Sequence, residues 1–344
     1  MSIDLPISKS IANRVLILQA LHGQPLLDIS SAAVPDDVKV LHQALTDIAA
    51  GKERINIGNC GTAMRFLTAY CAQLKGKTVW LDGTDRMRQR PIGQLVTALI
   101  ACGADIWYDG EFGFPPLRIH GRKLHTPIAA EVRKINVNSP DSSQFISALL
   151  LIGMNADSDF SSPYITMTRR IVDLFNQGQL PKLEADWSSA AFWYEYVALH
   201  GGELHLNGLT AESLQGDKIV ADMFRSLGVR TRYEDDGITI YRSGKVLHYP
   251  RIWNFRHCPD LYPAVAITCR QLHIPLLAHG TSSLRLKESD RLQAVKTLSA
   301  SGDHRIAMAL LAADIACDDI ECISKSYPDF YDQLHRHHSA SRNQ

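Results

Sequence analysis

Apolar positions along the chain follow two periods, and the periods alternate. Between Pro91 and Cys102, Ile92, Leu95, Val96, Leu99 and Ile100 recur at three- and four-residue spacing, as on one face of a helix. Pro91 suits a first helical position and Gly103 a stop. The apolar residues then alternate through Ala104–Tyr108, break at Asp109-Gly110 and resume over Pro116–His120, which predicts strand, turn and strand. The order returns downstream. A helical stripe of Val220, Met223, Phe224 and Leu227 ends at Gly228; Val229–Tyr233 alternates, Asp236-Gly237 turns, and Ile238–Tyr241 runs back. Two copies of helix, strand, turn and strand predict an internally repeated α/β architecture.

Three further helical stretches lack that tail. Asp37–Ile48 runs straight into Ala49-Ala50-Gly51-Lys52-Glu53-Arg54, Arg169–Phe175 into Asn176-Gln177-Gly178-Gln179, and Asp290–Leu298 into Ser299-Ala300-Ser301-Gly302. In each place a short polar junction stands where the hairpin would be.

Composition narrows the class. The chain has 344 residues, 45% apolar and 21% charged, ordinary for a soluble protein. At roughly 100–200 residues per domain it predicts two domains. Lys+Arg and Asp+Glu number 36 each, without the basic excess of a nucleic-acid or membrane-surface binder. No run approaches the roughly 20 apolar residues of a membrane helix, and Met1-Ser2-Ile3-Asp4 does not open a signal peptide. The 7 cysteines form no Cys-x-x-Cys pair and sit mostly among apolar neighbours, as reduced thiols of a cytoplasmic protein would.

Candidate chemistry gathers at predicted helix starts. Ser8-Lys9-Ser10 with Arg14, Asn59-Cys60-Gly61-Thr62 with Arg65, and Ser142-Ser143-Gln144 each precede an apolar helical run. Free backbone N–H groups, hydroxyl donors and the positive end of a helix dipole then coincide, which is an anion site as well as a plain N-cap. Arg86, Arg88 and Arg90 would point together if their loop were extended, and arginine matches phosphate or carboxylate with paired donors. Arg285-Leu286-Lys287-Glu288-Ser289-Asp290-Arg291 is the densest charge cluster, and its Lys-Glu neighbours suit proton handling. Asp303 caps a helix whose first turn holds His304 and Arg305, cations that an anion there would favour. Dinucleotide, P-loop, zinc-protease and serine-hydrolase motifs are absent from the sequence.

In order, LPISKSIANR (5–14), GNCGTAMRF (58–66), DRMRQRPI (85–92), SSQFISALLL (142–151), SSPYITMT (161–168), QGD (215–217), LRLKESDRL (284–292), SGDHRIAM (301–308) and SKSYPDF (324–330) resemble the 5-enolpyruvylshikimate-3-phosphate synthase family. The resemblance implies a two-domain, inside-out α/β barrel of repeated βαβαββ units with the active site in the interdomain cleft. The domains would be residues 9–184, and 185–344 together with 1–8. It implies transfer of the enolpyruvyl group of phosphoenolpyruvate to the 5-hydroxyl of shikimate 3-phosphate with release of phosphate. No metal or organic cofactor is implied, and no nucleic-acid or membrane partner; a monomer is expected.

Carried over by position, Ser142, Ser143, Ser161 and Tyr164 would hold the shikimate phosphate, with Ser10, Arg14, Gln144, Ser283 and Lys287 around the ring and its carboxylate. Lys9, Arg86, Arg291, Arg305 and Lys325 would clamp phosphoenolpyruvate, together with Asn59, Gly61, Thr62, Arg65, Gln144 and His304. Asp260 would accept the hydroxyl proton, and Glu288 with Lys9 would protonate the methylene carbon. Phe66 stands where the family often has Pro, Cys60 where Ala is common and Ser162 where Arg is common; Ser283 and Leu284 also depart from the usual pattern. The chain is shorter than the family, at the three junctions above and by the N-terminal strand expected before Leu5. The rival readings are the sister transferase acting on UDP-N-acetylglucosamine and a non-catalytic anion-binding paralogue. The former commonly carries a Cys before its Arg-Pro, which Leu81–Arg90 lacks; the latter would have no use for Asp260 and Glu288.

Overall fold

The computed structural model describes residues 2–30, 33–125, 142–156, 162–243, 246 and 250–342. The chain divides into two compact units, one of residues 10–29 and 37–182, the other of residues 1–9, 30–36 and 183–344.

The unit of residues 10–29 and 37–182 holds a four-stranded sheet of β2 (Arg54–Asn56), β3 (Thr78–Asp82), β4 (Asp105–Tyr108) and β5 (Leu117–His120), ordered β2-β3-β5-β4. The first pair is parallel and the others antiparallel. Helix Gly61–Ala72 links β2 to β3, and helix Gly93–Ala101 links β3 to β4. That is one complete βαβαββ unit, with the hairpin expected after the second helix. The second helix begins at Gly93, leaving Pro91 just ahead of its N-cap, Ile92. Helix Gly61–Ala72 is buried along nearly its whole length. Its small and apolar residues let helix Ser142–Leu151 pack on it.

In the other unit, β1 (Ser2–Asp4), β6 (Glu203–Asn207), β7 (Val229–Tyr233) and β8 (Gly237–Arg242) form a sheet in the equivalent order, β1-β6-β8-β7, with β1 parallel to β6. The N-terminal strand thought missing is therefore present. It is three residues long, too short to write a pattern, and its pairing with β6 defines it. A last parallel pair, β9 (Arg251–Asn254) and β10 (Leu276–His279), has no hairpin added to it among the described residues. The helix after β10, Arg291–Thr297, turns directly into helix His304–Ala312.

That turn is a built one. Leu298 and Ser301 adopt left-handed backbone, and Asp318 holds it by accepting hydrogen bonds from Ser299 Oγ at 2.5 Å and Ala300 N at 2.6 Å. Helix Asp36–Ala49 likewise leads to β2 without a hairpin, and helix Pro163–Asn176 leads to helix Trp187–His200. The former Arg169–Phe175 expectation is thus extended back to Pro163, a first-turn proline. Of the cysteines, Cys60, Cys71, Cys102, Cys258 and Cys269 are buried, while Cys317 and Cys322 are half-buried.

Helix Trp187–His200 is the spine of its unit. Asp186 caps it, accepting from Ser189 N, and every residue from Trp187 to Ala198 is buried. Glu195 lies in this run with both carboxylate oxygens buried and without hydrogen-bond partners. Burial raises its pKa well above the usual carboxyl value of 4.5, so the folded protein holds it neutral. A raised folded pKa gives stability that is fully present below the unfolded value and is lost as pH rises through the folded one. Glu195→Gln is expected to remove this loss. Chemical denaturation between about pH 5 and about pH 8 should show the wild type falling relative to the variant, by up to ~1.4 kcal/mol per pH unit. Parallel stability profiles would contradict a neutral Glu195.

Candidate active site

In the unit of residues 10–29 and 37–182, two arginines from the sequence motifs are committed to the fold. Arg14, buried in the helix beginning at Lys9, donates from Nε to Thr168 Oγ1 at 2.7 Å and from Nη1 to Ser10 O at 2.7 Å. Its Nη2 reaches Ser147 Oγ at 3.3 Å and Tyr164 O at 3.4 Å, and the guanidinium stands 5.4 Å over the Phe66 ring. Burial lowers its pKa to about 10, still a cation at neutral pH. Arg14 therefore ties together the segments carrying Ser10, Ser147 and Tyr164. Arg65 donates from Nη2 to Pro91 O at 2.8 Å and from Nη1 to Gly61 O at 3.4 Å, pinning the arginine-rich loop to the start of helix Gly61–Ala72.

Of the three loop arginines the sequence offers, Arg90 is the one whose surroundings suit an anion, though the family resemblance assigns that role to Arg86. Odd spacing suggested that Arg86, Arg88 and Arg90 point together from an extended loop. The structure corrects this, because Asp85–Arg88 is a helical turn. Thr84 caps it by accepting from Met87 N at 3.3 Å, and Asp82 binds Arg88 Nη2 at 2.7 Å. Arg86 is half-buried beside Gln89, Arg88 is exposed, and Arg90 is buried. Nε and Nη1 of Arg90 have no hydrogen-bond partner, and a Cβ on Gly61 would lie 2.5–2.7 Å from its guanidinium. Cys60, the N-cap of helix Gly61–Ala72, offers no side-chain cap to that turn. A buried cation and uncapped N–H groups of Gly61 and Thr62 thus stand together, an arrangement suited to phosphate. Burial of the capping loop and the absence of a Cβ at Gly61 are the signals that single out Arg90.

Ser143 and Gln144 open helix Ser142–Leu151, with Gln144 Oε1 buried and unpartnered. Ser161 and the side chain of Ser142 lie outside the described residues.

In the unit of residues 1–9, 30–36 and 183–344, charge pairing organises the site. Arg291 is 1% exposed and meets three carboxylates: Asp303 Oδ2 at 2.8 Å, Asp260 Oδ1 at 2.8 Å and Glu288 Oε2 at 3.4 Å. Burial opposes its charge, but Asp303, Asp260 and Glu288 outweigh that and raise its pKa. Asp303 also caps helix His304–Ala312, accepting from Arg305 N at 3.1 Å. Arg305 Nη2 donates to Asp260 Oδ2 at 2.9 Å, while its Nε and Nη1 are buried without partners. Lys287 stands 4.0 Å from Asp260, and Lys325 2.7 Å from Glu288. Burial alone would raise the pKa of Asp260, but Arg305, Lys287, Arg291 and Lys9 together hold it well below the carboxylate range. Ser283 is buried at the short helix that precedes Lys287.

His304 was expected as a cation, and here the structure differs. It is buried, both ring nitrogens lack hydrogen-bond partners, and its pKa falls well below the usual value. Desolvation is the main cause, and Lys9, Arg305 and Lys325 add to it against Glu288. His304 is therefore neutral, one N–H donor and one acceptor.

Among the described residues, one group has metal-ligand spacing, His205 with Glu234 and Asp236 at the β7–β8 turn. His205 Nδ1 is hydrogen-bonded with Thr239 Oγ1 at 3.1 Å and lies 3.4 Å from Glu234, while Nε2 lies 3.3 Å from Asp236. No helix among the described residues is long and apolar enough to cross a membrane.

A sequence model of the EPSP synthase (3-phosphoshikimate 1-carboxyvinyltransferase) family matches residues 36–178 and 176–298. The 3-phosphoshikimate 1-carboxyvinyltransferase of Bacteroides fragilis is 36% identical over 400 residues, covering 97% of this chain and 94% of that protein. The protein of that name from Vibrio campbellii is 29% identical over 423 residues, covering 96% and 95%. Both alignments are longer than the 344 residues here, so both relatives carry segments this chain lacks. A solved EPSP synthase from Acinetobacter baumannii shares the fold, with a TM-score of 0.70 at 19% identity over 98% of this chain and 95% of that one. The chain is a transferase and belongs to the EPSP synthase (3-phosphoshikimate 1-carboxyvinyltransferase) family.

Proposed function

We propose that the two sets of residues described above serve one reaction, the transfer of the enolpyruvyl group of phosphoenolpyruvate to the 5-hydroxyl of shikimate 3-phosphate. The observation that carries the reading is the pair of acids, Asp260 and Glu288, gathered on the buried Arg291 in a cationic setting. Beyond neutralising Arg291, two carboxylates there repel an anionic ligand, a cost that proton transfer explains and anion binding alone does not.

Each residue then has a task its surroundings support. Arg90 with the Gly61-Thr62 turn, and Arg305 through Nε and Nη1, offer unfilled N–H groups to phosphoenolpyruvate. Arg291 and Lys325 supply charge, their donors being shared with Asp260, Asp303 and Glu288. Lys9, Asn59, Arg65, Arg86, Gln144 and His304 complete that substrate's surroundings, Arg65 by fixing the turn. Ser142, Ser143, Ser161 and Tyr164 take the shikimate phosphate, with Ser10, Arg14, Ser283 and Lys287 around the ring.

Asp260 accepts the proton as the hydroxyl oxygen bonds to the central carbon of phosphoenolpyruvate. Its depressed pKa keeps it ionised, so the acceptor is ready throughout the neutral range. Glu288, held by Lys325 and Arg291, delivers a proton to the methylene carbon. The tetrahedral adduct then loses phosphate and a proton from that carbon to give the enolpyruvyl ether. Positioning and charge neutralisation supply the acceleration.

Phosphate release by the full chain tests the reading: release is expected with both substrates and with neither alone. Binding of shikimate 3-phosphate without release would contradict it. Glu288→Gln should lower kcat by about 100-fold or more while shikimate 3-phosphate binds nearly as before; equal losses in both would contradict the proton-transfer role. Gly61→Ala should displace the Arg90 guanidinium and raise the KM for phosphoenolpyruvate about tenfold, with a smaller effect on kcat. An unchanged KM would remove Arg90 from the phosphate site.

A further inference from the structure

Beyond helix His304–Ala312 the chain returns through residues 315–320 to a short helix, Glu321–Lys325. Two cysteines bracket the return, and their thiols share one acceptor. Cys317 Sγ donates to Asp319 O at 3.4 Å, and Cys322 Sγ donates to the same oxygen at 3.2 Å. The two sulfurs are therefore within two hydrogen-bond lengths of each other. Asp319 arranges this, because its Oδ1 accepts from Cys322 N at 3.3 Å and folds the chain back there. Both cysteines are half-buried, whereas Cys60, Cys71, Cys102, Cys258 and Cys269 are buried.

The stretch between these cysteines braces the site. Asp318 holds the turn of residues 299–302 through Ser299 Oγ at 2.5 Å and Ala300 N at 2.6 Å. A Cβ on Gly302 would lie 4.0 Å from Asp319 Oδ2, so that carboxylate packs on the last residue of the turn. Asp303 follows directly and holds Arg291. On the other side, Cys322 stands three residues before Lys325 on the same short helix, and Lys325 Nζ reaches Glu288 Oε1 at 2.7 Å. Asp303 and Lys325 thus both depend on the backbone that runs from Cys317 to Cys322.

We propose that Cys317 and Cys322 are a dithiol that closes reversibly to a disulfide and thereby lowers turnover. The loss of turnover rests on the reading of Glu288 and Arg291 as parts of the site; the cross-link itself does not. The oxidant is a low-molecular-weight disulfide such as oxidised glutathione. One cysteine, as its thiolate, attacks a glutathione sulfur and expels the first glutathione. The other then attacks the mixed disulfide and expels the second. The protein gives up two protons and two electrons, and the oxidant is reduced to two thiols. Burial, with Asp318 and Asp319 adding to it, raises the Cys317 thiol; burial with Asp319 and Asp303 pushes Cys322 up to about 12. The pair thus rests as thiols and reacts slowly until oxidant is abundant. A disulfide needs its sulfurs about 2.05 Å apart, closer than two donors that share one oxygen. Closure therefore takes both donors from Asp319 O and shifts the segment that carries Asp318, Asp319 and Lys325.

The test treats the full chain with oxidised glutathione, alkylates the remaining thiols in denaturant and maps the peptides by mass. A cross-link between Cys317 and Cys322 is expected, with the other five cysteines alkylated. Phosphate release with both substrates should fall about fivefold or more, and dithiothreitol should restore it. Hydrogen exchange at the Ala300 amide, which Asp318 holds, should quicken about tenfold on oxidation. The double variant Cys317→Ser with Cys322→Ser should turn over as the reduced wild type does and keep that turnover in oxidised glutathione. No cross-link, or a cross-link that leaves turnover unchanged, would overturn the proposal. If the reduced wild type released no phosphate, the reading of the reaction would fall. The cross-link with faster exchange at Ala300 would then support the switch by itself, and unchanged exchange would overturn it as well.

Discussion

The site in the unit of residues 1–9, 30–36 and 183–344 depends on one guanidinium kept out of water. Arg291 could not be buried at 1% exposure without partners, since an isolated buried cation is destabilising by several kcal/mol. Asp303, Asp260 and Glu288 neutralise it, and each brings a different stretch of chain. Asp303 fixes the start of the helix that carries His304 and Arg305. Asp260 fixes the short turn before helix Tyr262–Gln271, and Glu288 fixes the segment with Lys287. The contacts that assemble these segments are the same ones that hold Asp260 ionised. Folding and chemistry therefore rest on one charge balance.

The other unit solves a related problem differently. Arg14 and Arg65 donate to backbone carbonyls and, for Arg14, to hydroxyls. They keep their charge while acting as struts. Arg90, packed on a glycine at a helix start, keeps both Nε and Nη1 unfilled. A cation with hydroxyl and carbonyl neighbours keeps a positive field for an anion; a cation among carboxylates gives up most of that field and gains acid–base control. Binding and proton transfer are in this way divided among residues that look alike in sequence.

Much of this was legible before the structure. The helix, strand, turn and strand sentence at Pro91–His120 is a genuine βαβαββ tail, because period-2 and period-3.6 patterns there bury one face each. The three junctions without a hairpin are real for the same reason: no alternating run exists at Ala49–Arg54, Asn176–Gln179 or Ser299–Gly302 to pair with anything. What escaped depended on distant partners. The Asp85–Arg88 turn follows from Thr84 and from Asp82 on the preceding strand, so the odd spacing of the arginines misled. His304 is neutral because the fold buries it, with Lys9 and Lys325 adding their charge from separate segments and Arg305 from its own helix. β1 exists only through β6, and the burial of Asp217 follows from its bond to Ser188 on a distant helix.

The charge balance around Arg291 is tested most directly by Asp303→Asn, measured for stability by chemical denaturation and for turnover by phosphate release. The substitution keeps the shape and removes the charge opposite Arg291 Nε. The account predicts a loss of about 3–5 kcal/mol in stability, as for other broken buried pairs, together with a marked fall in kcat. A variant as stable and as active as the wild type would contradict it.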